Sequence, residues 1–126
     1  MGMFPKLLLE CIGTPYVYKA YPQADPDKWF KDAKPFLPVA TPNVPYLMDG
    51  DICLMEHDAI LRYIARKWKP EMLGISDKEI AIVEMFFAKV KNMNMPSRVF
   101  CRAAHSDEER RGHVIGFDVD LKAIDK

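Results

Sequence analysis

The sequence predicts an α/β protein in which a leading helix is followed by the order β-α-β-β-α, with a short all-α segment of two helices behind it. Three observations carry that expectation. Asp49-Gly50-Asp51 separates two short apolar runs, Pro45–Met48 and Ile52–Met55, and Asp-Gly tolerates the positive φ that a tight hairpin turn needs. Directly behind it, Ala59, Ile60, Tyr63, Ile64 and Trp68 fall near i, i+1, i+4, i+5 and i+9, one apolar stripe of a helix starting at about His57, with Arg62, Arg66 and Lys67 outside the stripe. Ser76-Asp77-Lys78-Glu79 and Ser106-Asp107-Glu108-Glu109 are capping boxes, the reciprocal side-chain and backbone pairs that open helices.

Taken in order, Met3 to Ile12 reads as a helix with Leu7, Leu8 and Cys11 on one side and Gly13 as its C-terminal stop. Pro15 opens Tyr16-Val17-Tyr18-Lys19-Ala20-Tyr21, an aromatic, alternating run that predicts a strand. From Pro22 to Pro45 prolines punctuate a loop-rich region, within which Asp25-Pro26-Asp27 starts a short helix carrying Trp29. The helix after Ser76 is apolar on two sides through Ile80, Ile82, Val83, Met85, Phe86, Phe87 and Val90, which calls for two partners, and Pro96 is expected to end or kink it. Met85, Met93 and Met95 read as adaptable packing. The last helix runs through Val114, Phe117, Leu121 and Ile124, weakened by Gly112 and Gly116.

Composition narrows the function. With 126 residues, 49% of them hydrophobic, the chain can build a real core. Its formal net charge of zero argues against a nucleic-acid surface, which needs a basic patch to displace counterions, and the cluster Arg62, Arg66, Lys67 and Lys69 reads as a solvated helix face. Cys11, Cys53 and Cys101 are odd in number and lack C-x-x-C spacing, so a reducing compartment is the default. No apolar run approaches the length that spans a bilayer and no signal-peptide pattern is present; cytoplasm is the default location and an organellar assembly stays open. His105 and His113 have no convergent ligands, and no metal site is expected.

Several spaced motifs resemble one family. Asn43-Val44-Pro45-Tyr46-Leu47, then Asp49-Gly50, Glu56 and Ala59-Ile60-Leu61-Arg62-Tyr63-Ile64-Ala65-Arg66-Lys67 are similar to the glutathione-binding half of the cytosolic glutathione transferases, nearest the mu class. Leu7-Leu8-Leu9-Glu10, Pro15-Tyr16, Tyr21, Trp29 and Lys34 continue the resemblance in the right order. It implies an incomplete thioredoxin-like domain over residues 1–70, followed over residues 71–126 by a partial C-terminal helical segment of that family. In the family a strand precedes the first helix and lies mid-sheet, between the strands matching Tyr16–Tyr21 and Pro45–Met48. The expectation here is a sheet without it. Each buried, unpaired backbone group costs on the order of 1–3 kcal/mol, against a net domain stability of roughly 5–15 kcal/mol. The expected repair is a partner, another protein subunit or a homodimer mate, that donates or covers a strand edge.

The resemblance also assigns a site. Trp29 and Lys34 match residues that contact the glycine carboxylate of glutathione, as an indole N–H and an ammonium can; a packed Trp29 and a solvated Lys34 are the alternative. Asn43-Val44-Pro45 matches the segment whose cis-proline turns the preceding backbone, here that of Val44, toward the cysteinyl backbone of the peptide. Glu56 matches the residue that takes the γ-glutamyl ammonium. His57 replaces the family's hydroxyl, and an imidazole donates to a carboxylate only in the right protonation state, so His57 as a mere helix cap or solvent-facing group is the alternative. Asn92 stands where an Asp reaches the partner's glutathione.

The group that stabilises the thiolate sits in the absent first strand, and neither Tyr16, Tyr18, Tyr21 nor Cys11 substitutes for it. The chain therefore reads as a mu-like relative without catalysis of its own, a structural or accessory subunit of a larger complex, with glutathione as its ligand through a weakened site. An active transferase, with the chain a fragment or complemented by a partner, is the alternative, and a glutathione-binding sensor a third.

Overall fold

A computed structural model of the chain describes residues 3–102 and 106–109, the side chains of residues 93–102 excepted. The chain divides into two units, Met1–Ile75 and Ser76–Lys126. In the first, helix α1 (Met3–Ile12) leads to an irregular stretch, then the short helix α2 (Asp27–Phe30), a 3₁₀ turn (Lys34–Phe36), strands β1 (Tyr46–Asp49) and β2 (Ile52–Met55), helix α3 (His57–Trp68) and a second 3₁₀ turn (Pro70–Leu73). The second unit holds the long helix α4 (Asp77–Arg102). This order is consistent with part of a thioredoxin-like domain followed by a helical segment.

The ends of α1 are those the sequence implied. Gly13 takes φ +77°. Its N–H donates to the Leu9 and Glu10 carbonyls at 2.9 and 3.2 Å, and the Thr14 N–H donates to Leu9 at 3.2 Å, the double closure of a Schellman motif. A Cβ at Gly13 would meet nothing within 4 Å, so a substitution there is opposed by the backbone alone. Gly13→Ala is expected to lower stability by about 1 kcal/mol, read as a shift in urea midpoint at unchanged slope.

The buried face of α1 differs from the expected one. Pro5 and Leu9 are buried and Leu8 and Ile12 half-buried, while Leu7 and Cys11 are exposed. Three consecutive leucines leave the phase of a stripe undecided; Pro5 and Ile12, four before and three after Leu9, decide it by extending the face around Leu9.

The strand expected over Tyr16–Tyr21 is absent. Among the described residues the only sheet is the antiparallel pair β1–β2. Tyr16 still packs on the core and Tyr21 is half-buried, but Val17 is 87% exposed and the segment has no ladder. Alternation and β-propensity describe a side-chain pattern, whereas a strand exists only when a neighbour takes its backbone groups.

The hairpin forms one residue out of the expected frame. Tyr46 faces Met55, Leu47 faces Leu54, Met48 faces Cys53 and Asp49 faces Ile52. The turn centre is therefore Gly50-Asp51, with Gly50 at φ +61° and Asp51 outside the positive-φ set. Glycine at the first central position suits a II′ turn. Asp49 stays in the ladder, where its carboxylate takes the Tyr63 hydroxyl at 2.7 Å and the Lys67 ammonium, both from α3.

Helix α3 supplies the core. Ile60, Ile64 and Ala65 are buried, and Leu9, Ile60 and Ile64 form one cluster against which Leu8, Ile12, Tyr16, Leu47, Leu54 and Trp68 pack. Fully burying each isoleucine contributes about 1.5–3 kcal/mol. The layer order follows: α1 and α3 cover the Leu47 and Leu54 side of the hairpin, and Tyr46 and Met48 point to the other side.

Helix α4 opens on the expected capping box, with Ser76 N–H to Glu79 Oε2 at 3.0 Å and Glu79 N–H to Ser76 Oγ at 3.3 Å. It continues through Pro96 to Arg102, so Pro96 does not end it. A proline removes one i→i−4 donor, and the turns on either side keep the helix assigned. Ile80, Ile82, Met85, Phe86 and Val90 are exposed on it. The second box also forms, Ser106 N–H to Glu109 Oε2 at 2.7 Å and Glu109 N–H to Ser106 Oγ at 3.3 Å. The helix expected to follow it, with His113 and Gly112, and His105 before it, lie outside the described residues.

Candidate functional site

The first rung of the hairpin gathers most of the expected site. Because Tyr46 faces Met55 across an antiparallel pair, the residues before Tyr46 and those after Met55 come to one end of the ladder. Asn43-Val44-Pro45 enters there, and Glu56-His57 leaves there into α3. The Val44–Pro45 bond is cis, as the resemblance implied. The Asn43 N–H reaches Met55 Sδ at 3.4 Å, which ties the two segments together.

Each of these residues has a particular local state. The Val44 N–H donates to the side-chain oxygen of its neighbour Asn43 at 2.8 Å, so the amide expected to read a peptide backbone has a partner within the chain. Glu56 is the positive-φ residue among the described non-glycines, at φ 62° and ψ 118°. Such a conformation costs on the order of 1–3 kcal/mol and persists where the surroundings impose it, here the abrupt passage from β2 into the first turn of α3. The Glu56 carbonyl accepts from the Ile60 N–H at 3.0 Å while its side chain stays exposed. His57 directs Nε2 to within 2.7 Å of Asp58 Oδ1, both side chains being three-quarters or more covered.

Trp29 touches that end through Tyr46, and Lys34 sits against Phe30. Trp29 is 8% exposed, stacked on Tyr46 with centroids 6.1 Å apart and edge-on to Tyr21 at 5.2 Å. It reaches the hairpin through one ring, as a packed indole. Lys34 places Nζ over the Phe30 ring at 5.5 Å. Asn92 lies exposed on α4.

Four of the five tyrosine hydroxyls are committed within the chain. Tyr16 donates to Glu10 at 2.5 Å, and that hydrogen bond, with lesser help from desolvation and the carboxylate's charge, pushes its pKa up to about 12. Tyr21 and Tyr46 share a 2.6 Å hydroxyl contact, and burial, then that bond, raises Tyr46 to about 12. Tyr63 donates to Asp49. Tyr18 is 60% exposed with Lys6 over its ring. Burial pushes the Cys53 thiol up from its ordinary value, away from the thiolate form. Below Tyr46 lies an open cleft of about 520 Å³, with Tyr21, Phe36 and Met48 among its apolar walls and Lys19, Lys28 and Asp32 at its charged ones. Among the described residues no group of His, Cys, Asp and Glu side chains could hold a metal, and no helix is long and apolar enough to cross a membrane.

Sequence reasoning missed two contacts that hold the hairpin, one at its first rung and one at its last. The Tyr21–Tyr46 contact joins residues far apart in the chain and left no local signal. The Asp49 clamp did leave one, since Tyr63 and Lys67 are i and i+4 on a single helix face. Its hydrogen bonds to Lys67 and then Tyr63 hold the Asp49 carboxyl below its ordinary 3.8, while the same contact raises Lys67 above 10.5. The depressed carboxylate contributes stability that is present above 3.8 and lost as pH falls through its lowered value. The raised ammonium contributes stability present below 10.5 and lost as pH rises through its raised value. Thermal melts of Asp49→Asn are expected to run below wild type at neutral pH and to converge with it in acid; parallel curves would remove the clamp from the account.

Comparison with known proteins places the chain in a family. The family model described as "Glutathione S-transferase, N-terminal domain" matches residues 1–66. The chain is 37% identical over 108 residues to "Glutathione S-transferase 2" of Gallus gallus, covering 82% of this chain and 46% of the relative. It is 44% identical over 80 residues to a "Glutathione S-transferase class-mu 26 kDa isozyme" of Schistosoma mansoni, covering 64% and 40%, and 37% identical over 122 residues to "Glutathione S-transferase Mu 5" of Mus musculus, covering 93% and 53%. The chain spans about half the length of these relatives or less.

Proposed function

Because the chain belongs to the glutathione S-transferase family, on its mu-like side, we propose that it serves as a structural or accessory subunit that retains part of a glutathione site and does not itself activate a thiol. The observation that carries this reading is the internal commitment of the hydroxyls. A hydroxyl that stabilises a thiolate must be free to donate to it, and a phenol of lowered pKa does so best. Tyr16 donates to Glu10 and Tyr63 to Asp49, and Tyr46, raised to about 12 by burial and then by the Tyr21 contact, is ill suited to the task.

Recognition is retained unevenly. The strained Glu56 backbone at the helix entrance supports a ligand-facing role, with its exposed carboxylate free to take an ammonium. Asn43, Val44 and Pro45 share that end of the hairpin with Glu56 and His57. His57, held by Asp58, weakens the end meant for a carboxylate, and Trp29 serves packing more than ligand contact. Binding partners are other protein subunits or a second copy. Turnover with a chlorinated nitrobenzene and retention on glutathione resin test the proposal together. Conjugation well above the uncatalysed rate overturns it in favour of an active transferase. Absence of both is the expected result, and retention without turnover favours a glutathione-binding sensor instead.

A further inference from the structure

Asp49-Gly50 is the one place in the 126 residues where an Asp or Asn precedes a glycine. The hairpin sets that pair where backbone attack on the side chain is least hindered. Gly50 is exposed at the first central position of the turn, and a Cβ there would meet nothing within 4 Å, so the space about its nitrogen is open. In a two-residue turn the ladder bonds belong to the flanking pair, here Asp49 and Ile52, and the first central N–H lies outside them. What opposes attack is the hold on Asp49, whose carboxylate takes the Tyr63 hydroxyl at 2.7 Å and the Lys67 ammonium.

We infer that Asp49-Gly50 is a site of isoaspartate formation that the Tyr63 and Lys67 clamp keeps closed. In the reaction the Asp49 carboxyl takes a proton from solvent and the Gly50 nitrogen attacks Cγ. The N–Cγ bond forms, the Cγ–O bond breaks, and the hydroxyl leaves with the amide proton as one water. The succinimide ring then takes a water back. Where that water cleaves the bond between the Asp49 carbonyl carbon and the Gly50 nitrogen, the main chain runs on through Cγ at unchanged mass. Two steps collide with the fold. Asp49 must turn about its Cα–C bond out of the extended range of a strand, and its carboxyl must leave Tyr63 and Lys67 to lie over the Gly50 nitrogen. The carboxyl must also be neutral, whereas hydrogen bonds from Lys67 and then Tyr63 favour its ionised form. For the clamp the change is one-way. In the product the carboxylate hangs directly on Cα, one carbon short of its former reach, and the strand gains a main-chain atom at its last rung. The product is also of the class that carboxyl methyltransferases specific for isoaspartate accept, a free α-carboxylate beside a β-peptide bond.

The inference goes beyond the glutathione reading, because the groups it uses lie at the other end of the hairpin from Glu56. The folded chain is incubated in warm, mildly acidic buffer below its melting onset, and isoaspartate at Asp49 is counted by peptide mapping with electron-transfer fragmentation. Beside it runs the blocked peptide acetyl-Leu-Met-Asp-Gly-Asp-Ile-amide, the same residues without the clamp. The peptide is expected to react at least about tenfold faster, since the folded rate is the intrinsic rate scaled by the fraction of time the clamp stands open. Lys67→Met combined with Tyr63→Phe keeps the aliphatic stem and the ring and should raise the rate by about fivefold or more over wild type. Ile64→Val weakens the core and leaves the clamp whole, and it should stay within about twofold of wild type. A wild-type chain that keeps pace with the peptide, or a double variant that keeps pace with wild type, overturns the inference. Ile64→Val matching the double variant also overturns it, in favour of unfolding of the whole unit as the gate.

Discussion

Ile64→Ala is expected to remove about 3–4 kcal/mol, a third or more of the stability of a unit this size. Ile64 has no exposed surface, and with Leu9 and Ile60 it forms the whole of the fully packed cluster between α1, α3 and the hairpin. Deleting three carbons there forfeits their transfer energy and leaves a hole that two helices and a two-stranded sheet can only partly close. The milder Ile64→Val should cost about 0.5–1.5 kcal/mol. Urea unfolding followed by Trp29 and Trp68 fluorescence gives both values. If the alanine variant lost less than about 1 kcal/mol, Ile64 would have to sit in a surface that collapses freely, contrary to the packing described.

The second large effect is a gain. His57→Ser is expected to tighten glutathione binding by about tenfold, roughly 1.4 kcal/mol. The His57 ring lies with Nε2 2.7 Å from Asp58 Oδ1, turned toward its chain neighbour, whereas a serine hydroxyl at the same helix start donates to a carboxylate beside the N-terminal amides. The pairing is then a matter of donor count at one position. Calorimetric titration with glutathione and with its γ-glutamyl α-carboxamide analogue separates this from a general improvement. The gain should appear for glutathione and vanish for the analogue. Equal tightening of both, or none, would remove His57 from the carboxylate end of the site.

Local features were legible in the sequence and pairwise ones were not. Gly13, the two capping boxes and the start of α3 at His57 each depend on a few consecutive residues, and each stands as read, whereas the cis bond before Pro45 was implied by the resemblance alone. The face of α1 was ambiguous because Leu7, Leu8 and Leu9 offer three phases; Pro5 and Ile12 share the face of Leu9, which packs on Ile60 and Ile64. The strand over Tyr16–Tyr21 failed for the complementary reason: its pattern was right, but the ladder that defines a strand belongs to two segments at once. Of the site, the residues at the hairpin end were named through the resemblance, and the turn itself fell on Gly50-Asp51. The packing of Trp29 between Tyr21 and Tyr46, and the hold of Asp58 on His57, came only with the fold.

The Asp49 clamp has a bearing on which changes of length the chain can absorb. One carboxylate at the last rung of β1 serves two residues a full turn apart on α3, so it fixes the helix both along its axis and in rotation about it. A residue inserted within β2 would send the following side chains to the opposite face of the sheet, and one inserted at the start of α3 would turn the helix by about 100°, swinging Tyr63 and Lys67 away together. Insertions and deletions between Asp49 and Lys67 should therefore be lethal to the fold, while the proline-punctuated stretch from Pro35 to Thr41, beyond the packed Trp29, can lengthen or shorten with less consequence for this unit.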